Sequence, residues 1–155
     1  QRDLFLSLGN IGEIRRQQGD LPSALEAYQE SLSIARTLAT DKTNAQAQRD
    51  LSISLNKIGD VRRQQGDLPS ALKAYEESLA IRRTLAKDKT NAEAQRDLVV
   101  SLAQIGLAHR ADGDEGAARA AFEEALSIAE PLAARAPEIV RYQELVAELK
   151  RLLAD

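Results

Sequence analysis

The chain has no cysteine, methionine or tryptophan, and one histidine among 155 residues. Without cysteine it forms no disulfide and offers no thiolate to a metal, an absence compatible with either redox compartment. His109 alone, with no thiol, leaves too few groups for a nucleophile–base pair or a metal cluster, so no catalysis, metal or cofactor is expected. Aromatic residues make up 3 %, and no apolar run approaches the roughly 18 residues of a membrane-spanning helix. The opening QRDLFLSLGN lacks a signal peptide's charged-then-apolar order. Nor does one sign of charge dominate: the net charge of −3 gives nucleic acid and anionic membranes no general attraction, so neither is an expected partner. No glycine-rich phosphate loop is present, and Asp112, Asp114 and Glu115 lack the twelve-residue calcium-loop pattern around them. Nothing assigns a compartment, and cytoplasm is only a default.

What is abundant is helix-forming: Ala, Leu, Glu, Gln, Arg and Lys dominate, and hydrophobic residues reach 43 %, ample for a core. The tetrapeptide QRDL occurs at Gln1, Gln48 and Gln95, a return every 47 residues. Gln1–Ala47 and Gln48–Ala94 agree at 35 of 47 positions, and a third copy keeps Leu98, Leu102, Ile105, Gly106, Gly113, Asp114, Ala118, Phe122 and Leu126 in step. Within a unit, Leu51, Leu55 and Ile58, then Leu68, Leu72, Tyr75 and Leu79, have the spacing of two amphipathic helices. Gly66 is placed to end the first helix, Asp67 to cap the second and Pro69 to sit in its first turn, while Asn91 is placed to cap the helix opening at Ala92.

The expected helices run from Gln1 to Gln18, Leu21 to Thr40, Ala45 to Gln65, Leu68 to Lys87, Ala92 to Ala111 and Glu115 to Ala134. A seventh follows from Pro137, with Val140, Tyr142, Leu145, Val146, Leu149, Leu152 and Leu153 on one face, and reads as a terminal cap for the stack. Pro131 should kink or shorten the sixth helix and make the last hairpin irregular. The expectation is an all-α single domain, residues 1–155, built as a right-handed α-solenoid of three antiparallel hairpins (1–47, 48–94, 95–136) and a capping helix (137–154). The first helix lacks the equivalent of Ala45-Gln46-Ala47, which reads as a cut from a longer array, with Leu4, Phe5 and Leu8 bordering a face where copies could self-associate.

Leu8-x2-Ile11-Gly12, Gly19-Asp20, Ala24 and Tyr28 resemble the tetratricopeptide pattern W-x2-L-G, G-D, A, F. The match recurs at Leu55, Ile58, Gly59, Gly66, Ala71 and Tyr75, and at Leu102, Ile105, Gly106, Gly113, Ala118 and Phe122. Gly12, Gly59 and Gly106 would permit close helix crossing against Ala24, Ala71 and Ala118. The pattern's tyrosine is replaced by Arg15, Arg62 and His109, and its closing proline by Arg36, Arg83 and Glu130. The unit is longer than the pattern's 34 residues, a tendency shared by relatives such as kinesin light chains.

The resemblance implies a protein-interaction scaffold that binds an extended peptide or a helix in a groove lined by the first helix of each hairpin. The two near-identical units differ in that helix at Phe5/Ser52, Leu6/Ile53, Gly9/Asn56, Asn10/Lys57, Glu13/Asp60 and Ile14/Val61, two adjacent stripes read as the groove. Its candidate residues are Asn10, Glu13, Arg16, Gln17, Asn56, Lys57, Asp60, Arg63, Gln64 and Arg110. The arginines, Lys57 and the asparagines point to an acidic or carboxylate-bearing partner, centred on the middle unit with its 9 basic and 7 acidic residues. The bland reading of the same residues is solvated surface and charge opposite helix dipoles. The two-carboxylate clamp of chaperone-binding members is not expected, because Gly9 and Glu13 hold its Lys and Asn positions in the first unit. The rival to a binding groove is a spacer or self-assembly element that stacks through its ends.

Overall fold

A computed structural model describes residues 1–155 as seven helices: α1 Arg2–Gln17, α2 Leu21–Leu38, α3 Ala45–Gln64, α4 Leu68–Leu85, α5 Ala92–Ala111, α6 Glu115–Arg135 and α7 Val140–Ala154. The fold is the expected all-α helical repeat, and none of its helices is long and apolar enough to cross a membrane. Local chemistry sets the turns. Gly19, Gly66 and Gly113 take φ of 80°, 80° and 84°, a region that side chains resist. One residue later, Asp20, Asp67 and Asp114 accept from the backbone N–H of Ser23, Ser70 and Ala117, and Asn44 and Asn91 cap α3 and α5 in the same way.

The chain divides into two compact units, Gln1–Ile81 and Arg82–Asp155. In the first, Phe5, Leu51 and Leu55 pack with Leu32, Leu38, Ile81 and the small residues Ala35, Ala39 and Ala47. A second cluster joins Ala24, Tyr28 and Val61 to Leu21, Leu25 and Ile58. In the second unit, Leu132, Ala133 and Tyr142 pack with Ala136, Ile139 and Val146, which seats α7 on α6.

Hairpins close where a glycine meets a ring. A Cβ at Gly12 or Gly59 would lie 2.6 or 2.5 Å from Cε1 of Tyr28 or Tyr75, and at Gly106 it would lie 2.4 Å from Cε1 of Phe122. The glycines therefore let the aromatic lie on the backbone of the first helix. Ser31 and Ser78 add hydroxyl bonds to the carbonyls of Phe5 and Ser52. The motif glutamines are buried: Gln48 and Gln95 donate to the Ala39 and Ala86 carbonyls at 2.7 and 2.5 Å, satisfying the exposed ends of α2 and α4. Gln143 of α7 does the same for Ala133.

Three expectations change. Pro131 does not shorten α6, which carries it on an exposed position and runs on to Arg135. The seventh helix begins at Val140, because the Ile139 N–H bonds back to the Ala136 carbonyl around a turn at 137–138. Phe5 and Leu8 are buried in the hairpin, and the uncovered apolar face of α1 consists of Leu4, Ile11 and Ile14, each about half exposed. At the positions where the closing proline of the pattern is replaced, Arg36 pairs with Glu77, Arg83 with Glu124 and Glu130 with Lys150.

Candidate protein-binding cleft between α1 and α3

The first helices of the two hairpins in unit Gln1–Ile81 leave between them a cleft of about 230 Å³. From α1 it is lined by Phe5, Leu6, Gly9, Asn10 and Glu13, and from α3 by Asp50, Ile53, Ser54 and Lys57. Residues one helical turn apart share a face, so the i, i+4 series Leu6–Asn10 and Ile53–Lys57 places one apolar and one polar residue on each wall.

Glu13 organises the polar end. Its carboxylate accepts from the Arg16 guanidinium at 2.5 Å, Lys57 Nζ at 2.9 Å, the Tyr28 hydroxyl at 3.0 Å and Gln17 Nε2 at 3.1 Å. The Arg16 bond, then the Lys57 bond, hold the Glu13 carboxyl far below the ordinary glutamate range. Burial, reinforced by the Glu13 carboxylate, pushes the Tyr28 phenol well above its usual value. The arrangement recurs on α3, where the Tyr75 hydroxyl donates to Asp60 at 2.6 Å and Tyr75 also bonds Arg63. In the third repeat the equivalents of acid and phenol are Leu107 and Phe122, so both partners of the bond are lost together. Arg110 there lies 5.0 Å from the Phe122 ring centre and donates to the Leu152 carbonyl of α7 at 2.7 Å.

At the opposite end Asp50 is buried, and takes Arg2 Nε at 3.0 Å and Gln46 Nε2 at 2.7 Å.

Of the residues singled out from sequence, Asn10, Glu13 and Lys57 line the cleft, and Arg16 and Gln17 reach it through Glu13. Asn56 is buried rather than exposed on a wall. Asp60 holds Tyr75, Arg63 and Gln64 are exposed near the end of α3, and Arg110 belongs to the second unit, where α7 engages it. Ile14, read as part of the groove stripe, lies on the exposed α1 face with Leu4 and Ile11. Leu6, Ile53, Asp50 and Ser54 were not singled out as site residues. The Leu6/Ile53 difference between units was a signal for that pair, whereas nothing local marks Asp50, whose partner Arg2 is 48 residues away.

No curated protein matches the chain in sequence. Among solved structures it is similar to BtubC (BKLC) from P. vanneervenii, at 22 % identity and a TM-score of 0.70, over 83 % of this chain and 47 % of that one. The chain thus spans about half the length of that protein. It is also similar to the N-terminal domain of stress-induced protein-1 (STI-1) from C. elegans, at 17 % identity and a TM-score of 0.62, over 97 % and 94 % of the two chains. At such identities the likeness is one of fold. A tetratricopeptide repeat family model matches residues 3–84 and again 50–131, and with the glycine–aromatic hairpins found in all three repeats, the chain belongs to the tetratricopeptide repeat family.

Proposed function

We propose that the chain is a protein-binding scaffold whose first unit takes a peptide or helical segment in the cleft between α1 and α3. The observation that carries this reading is the cleft itself: it is walled by Leu6/Ile53, Gly9, Asn10/Lys57 and Glu13, positions at which the two otherwise near-identical repeats differ. Among these variable residues Leu6 and Asn10 are exposed in the cleft, and so are free to serve a partner. Membership of a family of interaction scaffolds supports the general function, and the cleft supports its location.

The geometry alters the expected chemistry of the partner. Arg16 and Lys57 already meet Glu13, and Arg110 meets Glu115 and the Leu152 carbonyl. Arg16 and Lys57 share one carboxylate, so an acidic partner would meet them only in competition with Glu13. To test the reading, a random peptide library is selected on the wild-type chain and the enriched peptides are measured on an Asn10→Ala, Lys57→Glu variant. A loss of affinity of tenfold or more is expected. Enriched peptides that bind both proteins equally would place the site elsewhere, and a library without enriched peptides would overturn peptide binding.

A second reading rests on the exposed α1 face. Its Leu4, Ile11 and Ile14 are 52, 47 and 55 % exposed, whereas Leu51 and Val61, at the equivalent positions of α3, are 5 and 0 % exposed beneath α2 residues. The face therefore fits a helix with the apolar pattern of α2, and a second copy docked there would make the chain a self-assembling element. Sedimentation over a wide concentration range separates the readings: Ile14→Lys should abolish any dimer and leave peptide affinity unchanged.

A further inference from the structure

We infer that Gly9 opens a pocket in the α1–α3 cleft for one large apolar side chain, of the leucine, isoleucine or phenylalanine class, carried by the bound segment. The inference rests on the reading of this cleft as the partner site.

A glycine inside a helix costs stability and needs a reason. Gly12, Gly59 and Gly106 have one, since each faces an aromatic ring that a Cβ would strike. Gly9 has none: a Cβ built there meets nothing within 4 Å. Neither does the repeat require glycine at this position, because the equivalents on α3 and α5 are Asn56 and Ala103. The missing side chain of Gly9 instead leaves bare backbone in the cleft wall between Leu6 and Asn10, facing Ile53.

The walls state what fits. Both acids in the cleft are already bonded, Glu13 to four donors and Asp50 to Arg2 and Gln46, so neither invites a cation. The surface left for a ligand is mainly apolar, Leu6 and Ile53 with the buried Phe5 at its base, and a charged side chain could not enter it without losing its hydration. An apolar side chain gains from leaving water there, and the absent Cβ lets it reach the helix backbone.

The probes are N-acetyl-leucinamide, N-acetyl-phenylalaninamide and N-acetyl-lysinamide, titrated to millimolar concentration while backbone amide signals are followed by NMR. The leucine and phenylalanine compounds should shift Leu6, Gly9 and Ile53 along saturating curves, and the lysine compound should bind at least tenfold more weakly. Gly9→Ala and Gly9→Asn, the latter carrying the α3 residue, should weaken the apolar probes at least tenfold while melting at or above the wild-type temperature. Absence of saturation in the wild type, equal binding by Gly9→Ala, or a lower melting temperature for Gly9→Ala would each overturn the inference. Library peptides that use the cleft but share no apolar residue, or that survive Gly9→Ala, would also overturn it and leave the scaffold reading standing. A library without enriched peptides would sink the scaffold reading instead, and the probes still decide the pocket.

Discussion

The phenol of Tyr28 and the carboxylate of Glu13 serve the hairpin before they serve any partner, because the second and first helices are joined through them. This bond has a pH signature. Glu13 titrates far lower when folded than in an unfolded chain, where glutamate titrates at about 4.3. Its contribution to stability is therefore complete above that value and is lost as the pH falls from it toward the folded value. Glu13→Gln should melt lower than wild type at neutral pH, yet lose less melting temperature between neutral pH and the acid range; parallel acid limbs would show that Glu13 is not the titrating group. Gly9 of α1 and Gly59 of α3 should respond to alanine with opposite signs. Gly59→Ala drives a Cβ into the Tyr75 ring and should cost roughly 1–3 kcal/mol by overpacking. Gly9→Ala meets no atom and should gain roughly 0.5–1 kcal/mol, both read from urea denaturation. At this scale the sequence marked Asn10, Glu13 and Lys57 as variable, and all three line the cleft. It could not show that Lys57 would meet Glu13, because that contact depends on α1 and α3 lying side by side.

Among the elements, helix starts were legible almost to the residue, since Asp20, Asn44, Asp67, Asn91 and Asp114 announce them through caps that act within three residues. Helix ends were less so. α2 and α4 stop at Leu38 and Leu85, two residues before the periodicity fades, and the following Ala39 and Ala86 carbonyls turn to glutamines nine residues on. No local pattern encodes that bond, although it explains a glutamine at Gln48 and Gln95 of the repeated QRDL. Gln95→Ala should cost roughly 1–3 kcal/mol, because the Ala86 carbonyl would be left without its buried donor. The more conspicuous Arg83–Glu124 pair joins α4 to α6 across exposed surface, with side chains 53 and 42 % exposed. Its coupling energy in a double-mutant cycle should stay below about 1 kcal/mol. If the order of these two effects were reversed, surface charge rather than buried capping would be what ties successive repeats together.

For the whole chain, a repeat protein draws its stability from each repeat and from neighbouring contacts, so damage should spread only as far as those contacts carry it. The boundary between the two compact units falls inside α4, between Ile81 and Arg82. Tyr75 belongs to the first unit and Phe122 to the second, which gives each unit its own glycine–aromatic closure, Gly59 against Tyr75 and Gly106 against Phe122. These two closures can be broken separately. In native-state hydrogen exchange, Gly59→Ala should lower amide protection mainly within Gln1–Ile81, and Gly106→Ala mainly within Arg82–Asp155. Backbone amides of α1–α3 should keep their protection in the Gly106 variant, and those of α5–α7 in the Gly59 variant. A uniform loss over all seven helices in either variant would mean that α4 transmits the damage and the chain opens as one cooperative block. The distinction matters for binding, because the cleft lies wholly within the first unit. If the units open independently, a partner that fills the cleft should protect the amides of α1 and α3 and leave those of α5–α7 exchanging as before.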